Sequence, residues 1–234
     1  MAIERDSPSN LICMYREYTE RIAIRKAIIE EFPEKSHGYM HKGVDSIHEI
    51  YSYLTETYLP ARAILFDPRA ILRALGEIVQ EDLFLPKQDP ENSPHRLVAF
   101  VCCCSSGFDP SEKLGLSLRD IHAPVPSYDK IGASMERFFS RLETGKNVKR
   151  TKEINCETSF ARIERQTLSR LPRIDTVMFF FKTYLYPLRD IKAEGLGPKL
   201  AESIEGLKAG NSPGMWKYKG SIRWGKSVCE YMRS

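Results

Sequence analysis

Residues 118–126 read Leu-Arg-Asp-Ile-His-Ala-Pro-Val-Pro. An apolar residue leads into His122, and Pro124 and Pro126 follow it closely. Each proline fixes its own φ and pushes its predecessor toward extended conformations. The segment is therefore expected to be a stiff loop carrying one imidazole. An imidazole held in this way suits axial ligation of haem iron. It equally suits a buried histidine that hydrogen-bonds a carbonyl. Both readings stand on the loop alone.

A second stretch, Arg162-Ile163-Glu164-Arg165-Gln166-Thr167, places charge on both faces of an expected strand. With a period of two, Arg162, Glu164 and Gln166 share one face and Ile163, Arg165 and Thr167 the other. If either face is covered, these groups need partners. One reading is the wall of a polar cavity. The other is an edge strand whose solvated charges discourage association.

The chain that must position these residues has 234 of them, with 42% hydrophobic and 28% charged. That composition can bury a sizeable core and is unlike a disordered chain. There is no apolar run of 18 residues, and Met1–Asn10 is charged and polar, unlike a signal peptide. A soluble, intracellular, cytoplasmic protein with no membrane partner is expected. None of the six cysteines forms a C-x-x-C pair, so no zinc or iron–sulfur motif is present. Cys102–Cys104 fall in an apolar run read as strand, where alternate side chains diverge, so they are expected to be small buried hydrophobes.

The net charge is +4. Residues 216–234 alone hold Lys217, Lys219, Arg223, Lys226 and Arg233 against Glu230, together with both tryptophans, Trp216 and Trp224. Such a segment can bind nucleic acid, clamp an anionic group such as a haem propionate through Lys219 and Arg223, or form a solvated helix face. One short patch is weak support for nucleic acid, and no nucleic-acid partner is expected. The tail is expected to close over a sheet or dock a redox partner, or else to be a packed terminal helix.

Helical signals dominate residues 1–80. Tyr15, Tyr18, Ile22 and Ile29 lie on one stripe that Pro33 ends. Ser46 and Glu49 form a capping box ahead of Ile47, Ile50, Tyr51, Leu54 and Tyr58, and Pro60 follows. Asp67-Pro68 gives an N-cap and first-turn proline for a helix through Ile71, Leu72, Leu75 and Val79. Pro86, Pro90 and Pro94 mark a loop, and Leu97–Cys104 a strand covered on both faces. Ile131, Met135, Phe138, Phe139 and Leu142 give a further helix capped by Gly145. Ala161–Leu171 and Thr176–Tyr184 read as strands joined by the Pro172–Asp175 turn. Helical signals return at Leu196, Leu200, Ile204 and Leu207 and in the tail at Ser221–Met232. Short turns between strands favour an antiparallel sheet, hence an α+β fold.

Three motifs coincide in order: Asp109–Gly115 (DPSEKLG), Ile121–Pro126 (IHAPVP) and Arg162–Pro172 (RIERQTLSRLP). Together they resemble the signature of the haem-dependent oxidative N-demethylase α-subunit family, also called DUF3445. Lys182–Pro187 (KTYLYP) and Tyr218-Lys219-Gly220 are similar to further blocks of that family, and Tyr15–Glu31 and Ile50–Arg62 to its N-terminal helices. The chain departs from the family pattern at Thr151–Cys156, where an Asn-Trp pair is usual, and at Ala63–Phe66, where a longer stretch is usual.

The resemblance implies one domain over 1–234, with a mainly helical part at 1–80 and a PAS-like antiparallel sheet flanked by helices at 96–234. It implies a haem iron enzyme, a monooxygenase-like oxidoreductase that N-demethylates a small amine with oxygen. Electrons come from a partner reductase, with flavin, an iron–sulfur cluster and folate confined to partner subunits. Carried over by motif, His122 is the axial ligand. Arg162, Glu164, Arg165 and Gln166 form the polar wall, with glutamate to hold a cationic amine and arginine or glutamine to donate to oxygen. The alternatives are a non-catalytic PAS-like module that senses haem or a small ligand, and a degenerate pseudoenzyme.

Overall fold

α1 (Tyr18–Glu31) buries Ile22 and Ile29, on the stripe their spacing predicts, together with Arg25. In the computed structural model, residues 7–59, 65–88, 93–105, 108–126, 128, 132–133, 136, 159–209, 214–219 and 221–234 are described. The expected helix through Ile131–Leu142 and its Gly145 cap fall outside the described residues, apart from Gly132, Ala133 and Glu136.

A single turn, α2 (Pro33–Ser36), runs into β1 (His37–Tyr39), and α3 (Val44–Thr57) follows. Ile47, Ile50, Tyr51 and Leu54 are buried as expected. The Ser46–Glu49 capping box does not form, because the helix begins at Val44 with Gly43 as its N-cap. Ser46 instead hydrogen-bonds the Thr176 hydroxyl at 2.7 Å, and Glu49 accepts the Arg173 N–H at 2.5 Å. Both side chains are buried, so tertiary partners outcompeted the local cap. α4 (Pro68–Ile78) starts as read from sequence: Asp67 accepts the Ala70 N–H at 2.7 Å, and proline occupies the first turn.

Among the described residues, the sheet has five strands in the order β1, β3 (Arg96–Val101), β2 (Asp82–Lys87), β5 (Val177–Pro187) and β4 (Phe160–Arg170). It is antiparallel. β2 corrects the sequence reading, which placed Pro86 in a loop. The register of β2 on β3 shifts between Leu85 and Pro86, and such an irregularity is where a strand tolerates a residue without an N–H. The strand expected to run to Cys104 stops at Val101. Beyond it, the N–H groups of Cys103 and Cys104 donate to the Asp82 carboxylate at 2.9 Å each, in place of a neighbouring strand.

Two compact units divide the chain. The first takes in Met1–Ile121, Ser134–Arg150 and Gln166–Lys182; the second His122–Ala133, Thr151–Arg165 and Thr183–Ser234. In the first, α3 and α4 cover one face of the sheet. Ile47, Ile50, Leu54, Ile71 and Leu72 pack with Leu85, Val101, Met178 and Phe180. The other face carries a phenylalanine ladder. Phe84 is paired with Phe100 across β3 and with Phe179 across β5, and its ring lies 5.4 Å from that of Phe181.

In the second unit, α6 (Leu188–Ala193) and α7 (Gly197–Ala209) precede α8 (Gly214–Tyr218) and the terminal α9 (Ser221–Arg233). α5 (Leu118–Ile121) is the short turn at the end of the first segment of the first unit. Leu200, Ala201 and Ile204 of α7 pack on Val228, Cys229 and Met232 of α9, with Leu188 and Ala161. The tail is thus a packed terminal helix whose apolar stripe is core. Among the described residues, no helix is long and apolar enough to cross a membrane.

Candidate functional site

The loop that carries His122 begins where α5 ends. Ser117 caps that turn: its hydroxyl donates to the Asp120 carboxylate at 2.6 Å and accepts the Asp120 N–H at 3.2 Å. After Ile121 the backbone turns back on itself. The Val125 N–H donates to the His122 carbonyl at 2.8 Å, and the Tyr128 N–H to the Val125 carbonyl at 3.2 Å. The segment is therefore a hydrogen-bonded turn, more folded than the extended loop its prolines suggest. The Tyr128 ring, 6% exposed, stacks on the half-buried imidazole with centroids 5.0 Å apart and planes 2° from parallel.

β4 is the end strand of the described sheet. Its burial alternates as the period predicts. Arg165, Thr167 and Ser169 are buried on one face, while Arg162, Glu164 and Gln166 are half-buried on the other. The structure brings Arg162 and Glu164 together as an ion pair. A second Arg162 bond reaches the Thr183 hydroxyl at 3.4 Å. These charges are neither freely solvated nor unpartnered; each stabilises a neighbour on the same strand pair. Gln166 follows along the same strand.

In the tail, the Lys219 ammonium lies 5.6 Å from the Tyr218 ring centre, and its carbonyl accepts the Trp224 indole N–H at 3.2 Å. Arg223 sits on α9 with its side chain outside the described residues.

Residues 63–152 and 151–229 match the family model described as haem-dependent oxidative N-demethylase, alpha subunit-like. The chain belongs to this family. The match spans the His122 loop, the polar strand and the tail as far as residue 229. No curated protein matches the sequence.

The N-demethylase family name makes haem the group to test against these residues. Among the described residues, no cluster of three or more His, Cys, Asp or Glu side chains is built to hold a metal ion. A haem iron needs no such cluster, because the porphyrin supplies its equatorial ligands and the protein one or two axial ones. The histidines differ in their suitability. His37 and His95 are 3% and 0% exposed. His37 Nδ1 lies 3.1 Å from the Ser36 hydroxyl, and His95 Nδ1 2.7 Å from Glu136. Burial, with Arg69 nearby, holds the His37 imidazole below its ordinary pKa. His48 bonds the Phe66 carbonyl at 2.8 Å through Nε2. His122 is reachable and is held through its ring face. Such a ring is compatible with ligation of a haem iron.

One titratable group in the N-demethylase-like chain escaped the sequence reading. Lys182, which heads the KTYLYP block, is 2% exposed. Its ammonium lies 2.9 Å from the Gln80 side-chain oxygen and 3.5 Å from the Tyr15 ring centre. The period-two pattern Met178, Phe180, Lys182 could have revealed it, since the first two face the core. Burial pushes its pKa from 10.5 down to about 8.

Because the folded pKa is depressed below the unfolded one, the charge penalty is fully present below pH 8. It is relieved as pH rises toward 10.5. Wild-type stability should therefore rise across that window relative to Lys182→Met, by up to about 3 kcal/mol. Urea unfolding at a series of pH values measures the difference. A constant difference from pH 7 to pH 10.5 would show that Lys182 is not desolvated.

Proposed function

We propose that this chain is the haem-binding subunit of an oxygen-dependent N-demethylase acting on a small amine, and that a partner reductase supplies its electrons. The observation that carries this reading is the family match, which runs through both the His122 turn and the polar strand. The α+β architecture, with its antiparallel sheet flanked by helices, supports a PAS-like domain, which we assign to residues 1–234 as a whole with 1–80 as its helical part.

When bound, haem supplies the redox centre and the position for oxygen. The chain's own residues do the rest. His122 would hold the haem iron through its imidazole, whose ring plane Tyr128 sets by stacking. Glu164 holds the ammonium of the amine by a charge-assisted hydrogen bond. Arg162, already bonded to Glu164 and Thr183, orients that carboxylate. Gln166, on the same face as Glu164, supplies a further donor toward oxygen, whereas Arg165 lies on the opposite, buried face and takes no part in this wall. Overall, one oxygen atom leaves in formaldehyde with the methyl carbon and the other in water, using two protons and two electrons from the reductase. Lys219 and Arg223 are assigned to an anionic edge such as the haem propionates, and the rest of the basic tail to docking the reductase.

The Arg162–Glu164 pair also favours a second reading. If arginine keeps the carboxylate in the presence of amine, the domain binds or senses haem without turnover.

The two readings part on one experiment. Haem-reconstituted protein with a chemical reductant, oxygen and dimethylamine should release formaldehyde in proportion to amine, and the amine should perturb the ferric spectrum. Glu164→Gln should weaken amine binding at least about tenfold. Oxygen binding without amine-dependent formaldehyde would leave the sensing module standing and sink the enzyme.

A further inference from the structure

The imidazole of His122 is set by residues that no motif singles out. Stacking fixes the plane of a histidine ring, and with it the direction in which its nitrogens point. The near-parallel Tyr128 ring does this to His122. Tyr128 in turn depends on a glycine. A Cβ at Gly132 would lie 2.8 Å from Cε1 of the tyrosine and 3.2 Å from Cδ1. Any larger residue there must displace the ring that supports the imidazole.

The same turn is held from another element. Gly214, the first residue of α8, packs on Pro126, where an added Cβ would meet the proline Cβ at 2.9 Å and Cγ at 3.3 Å. α8 is seated on the terminal helix by Trp216. A Cβ at Gly225 of α9 would fall 2.3 Å from Cη2 of that indole. Lys208 covers the Trp216 ring at 4.3 Å. An uninterrupted series of close contacts thus runs from α9 through Trp216 and Gly214 to Pro126, four residues after His122. Interiors packed this closely have low compressibility and transmit strain.

We propose that Tyr128 and Gly214 are positioning residues for His122: the tyrosine sets the plane of the imidazole, and α8, through Gly214, sets the turn that carries it. Neither touches reacting atoms in this assignment. The proposal rests on the reading of His122 as axial ligand only for its consequence in haem binding; the placement of the ring is a property of the protein alone. It also gives the tail a role beyond core packing. A partner that shifts α9 would shift the imidazole.

The test begins without haem. Full-length protein carrying ring-labelled histidine has five histidines, and His122→Gln identifies the resonance of interest. Tyr128→Leu should move that resonance by removing the ring current of the phenol. It should also make His122 react severalfold faster with diethylpyrocarbonate. Tyr128→Phe keeps the ring and should match the wild type. Gly214→Ala should move the same resonance while leaving those of His37, His41 and His48 in place. Its φ is not in the left-handed region, so alanine adds only the collision with Pro126.

Haem titration follows. Tyr128→Leu should bind about tenfold more weakly, as when a group that orients a metal ligand is removed, and Tyr128→Phe should bind normally. A His122 resonance unmoved in both Tyr128→Leu and Gly214→Ala overturns the proposal. If Tyr128→Leu does not fold, Gly214→Ala alone decides it. If the resonance moves but His122→Gln binds haem unchanged, the ligand assignment fails and the positioning of the ring stands.

Discussion

His122→Ala should abolish or strongly shift the Soret band of haem-reconstituted protein while the fold survives. An axial imidazole governs the ligand field of haem iron, so its removal changes the spectrum outright. The substitution should cost little stability, because the ring is half-buried and lies at a turn; about 1 kcal/mol is the expected scale. Absorption spectra of wild type and variant at equal haem loading, with circular dichroism as the control for folding, make the comparison. An unchanged spectrum would move the ligand to His37, His41, His48 or His95.

The parts of the fold that could be read from sequence are those in which local chemistry and burial agree. Asp67 and Pro68 begin α4 because an N-cap acceptor and a first-turn proline act within one turn of chain. Leu97–Val101 is apolar throughout and is a strand covered on both faces. The Pro172–Asp175 turn joins β4 and β5 as its length predicts. Errors arose where a distant residue outcompeted a neighbour. Ser46 had a local partner in Glu49, but Thr176 and Arg173 claimed the two side chains. Pro86 marked a loop only because the register shift that accommodates it is a property of the sheet. The Cys102–Cys104 segment leaves the strand because Asp82, twenty residues earlier, offers both its oxygens.

For the candidate site, the motifs selected His122 and the strand at 162–166, and period two correctly divided the faces of that strand. What remained hidden was pairing. Arg162 and Glu164 share a face by spacing, but spacing does not say that they bond each other. The prolines announced a constrained turn, whereas Tyr128 carries no signature of its stacking partner. Gly132 and Gly214 are small for the sake of what lies against them, and that information exists only in three dimensions.

Asp82→Ala should be among the most destabilising single substitutions in the chain, at about 3–5 kcal/mol. Asp82 is 1% exposed and gathers two other segments onto one carboxylate. Arg25 of α1 donates at 2.5 Å, the Cys103 and Cys104 N–H groups at 2.9 Å, and the Cys102 thiol at 3.5 Å. Burial disfavours the Arg25 charge, yet the neighbouring carboxylate outweighs that cost and holds the guanidinium above its ordinary value. Alanine would leave an arginine that is 1% exposed without its counter-charge, and two backbone donors without an acceptor. The thiols report the same surroundings: burial, with Asp82 close by, pushes Cys102 upward, and burial pushes Cys103 up to about 12. Losing Asp82 should therefore loosen the segment and speed its reaction with a thiol reagent. Asp82→Asn keeps one acceptor oxygen and should cost less than alanine. Arg25→Met combined with Asp82→Leu should recover much of the loss, because an apolar pair removes the desolvation cost together with the attraction. Urea unfolding of the four proteins at pH 7 separates these contributions. If Asp82→Ala lies within 1 kcal/mol of wild type, the carboxylate does not anchor this corner of the sheet.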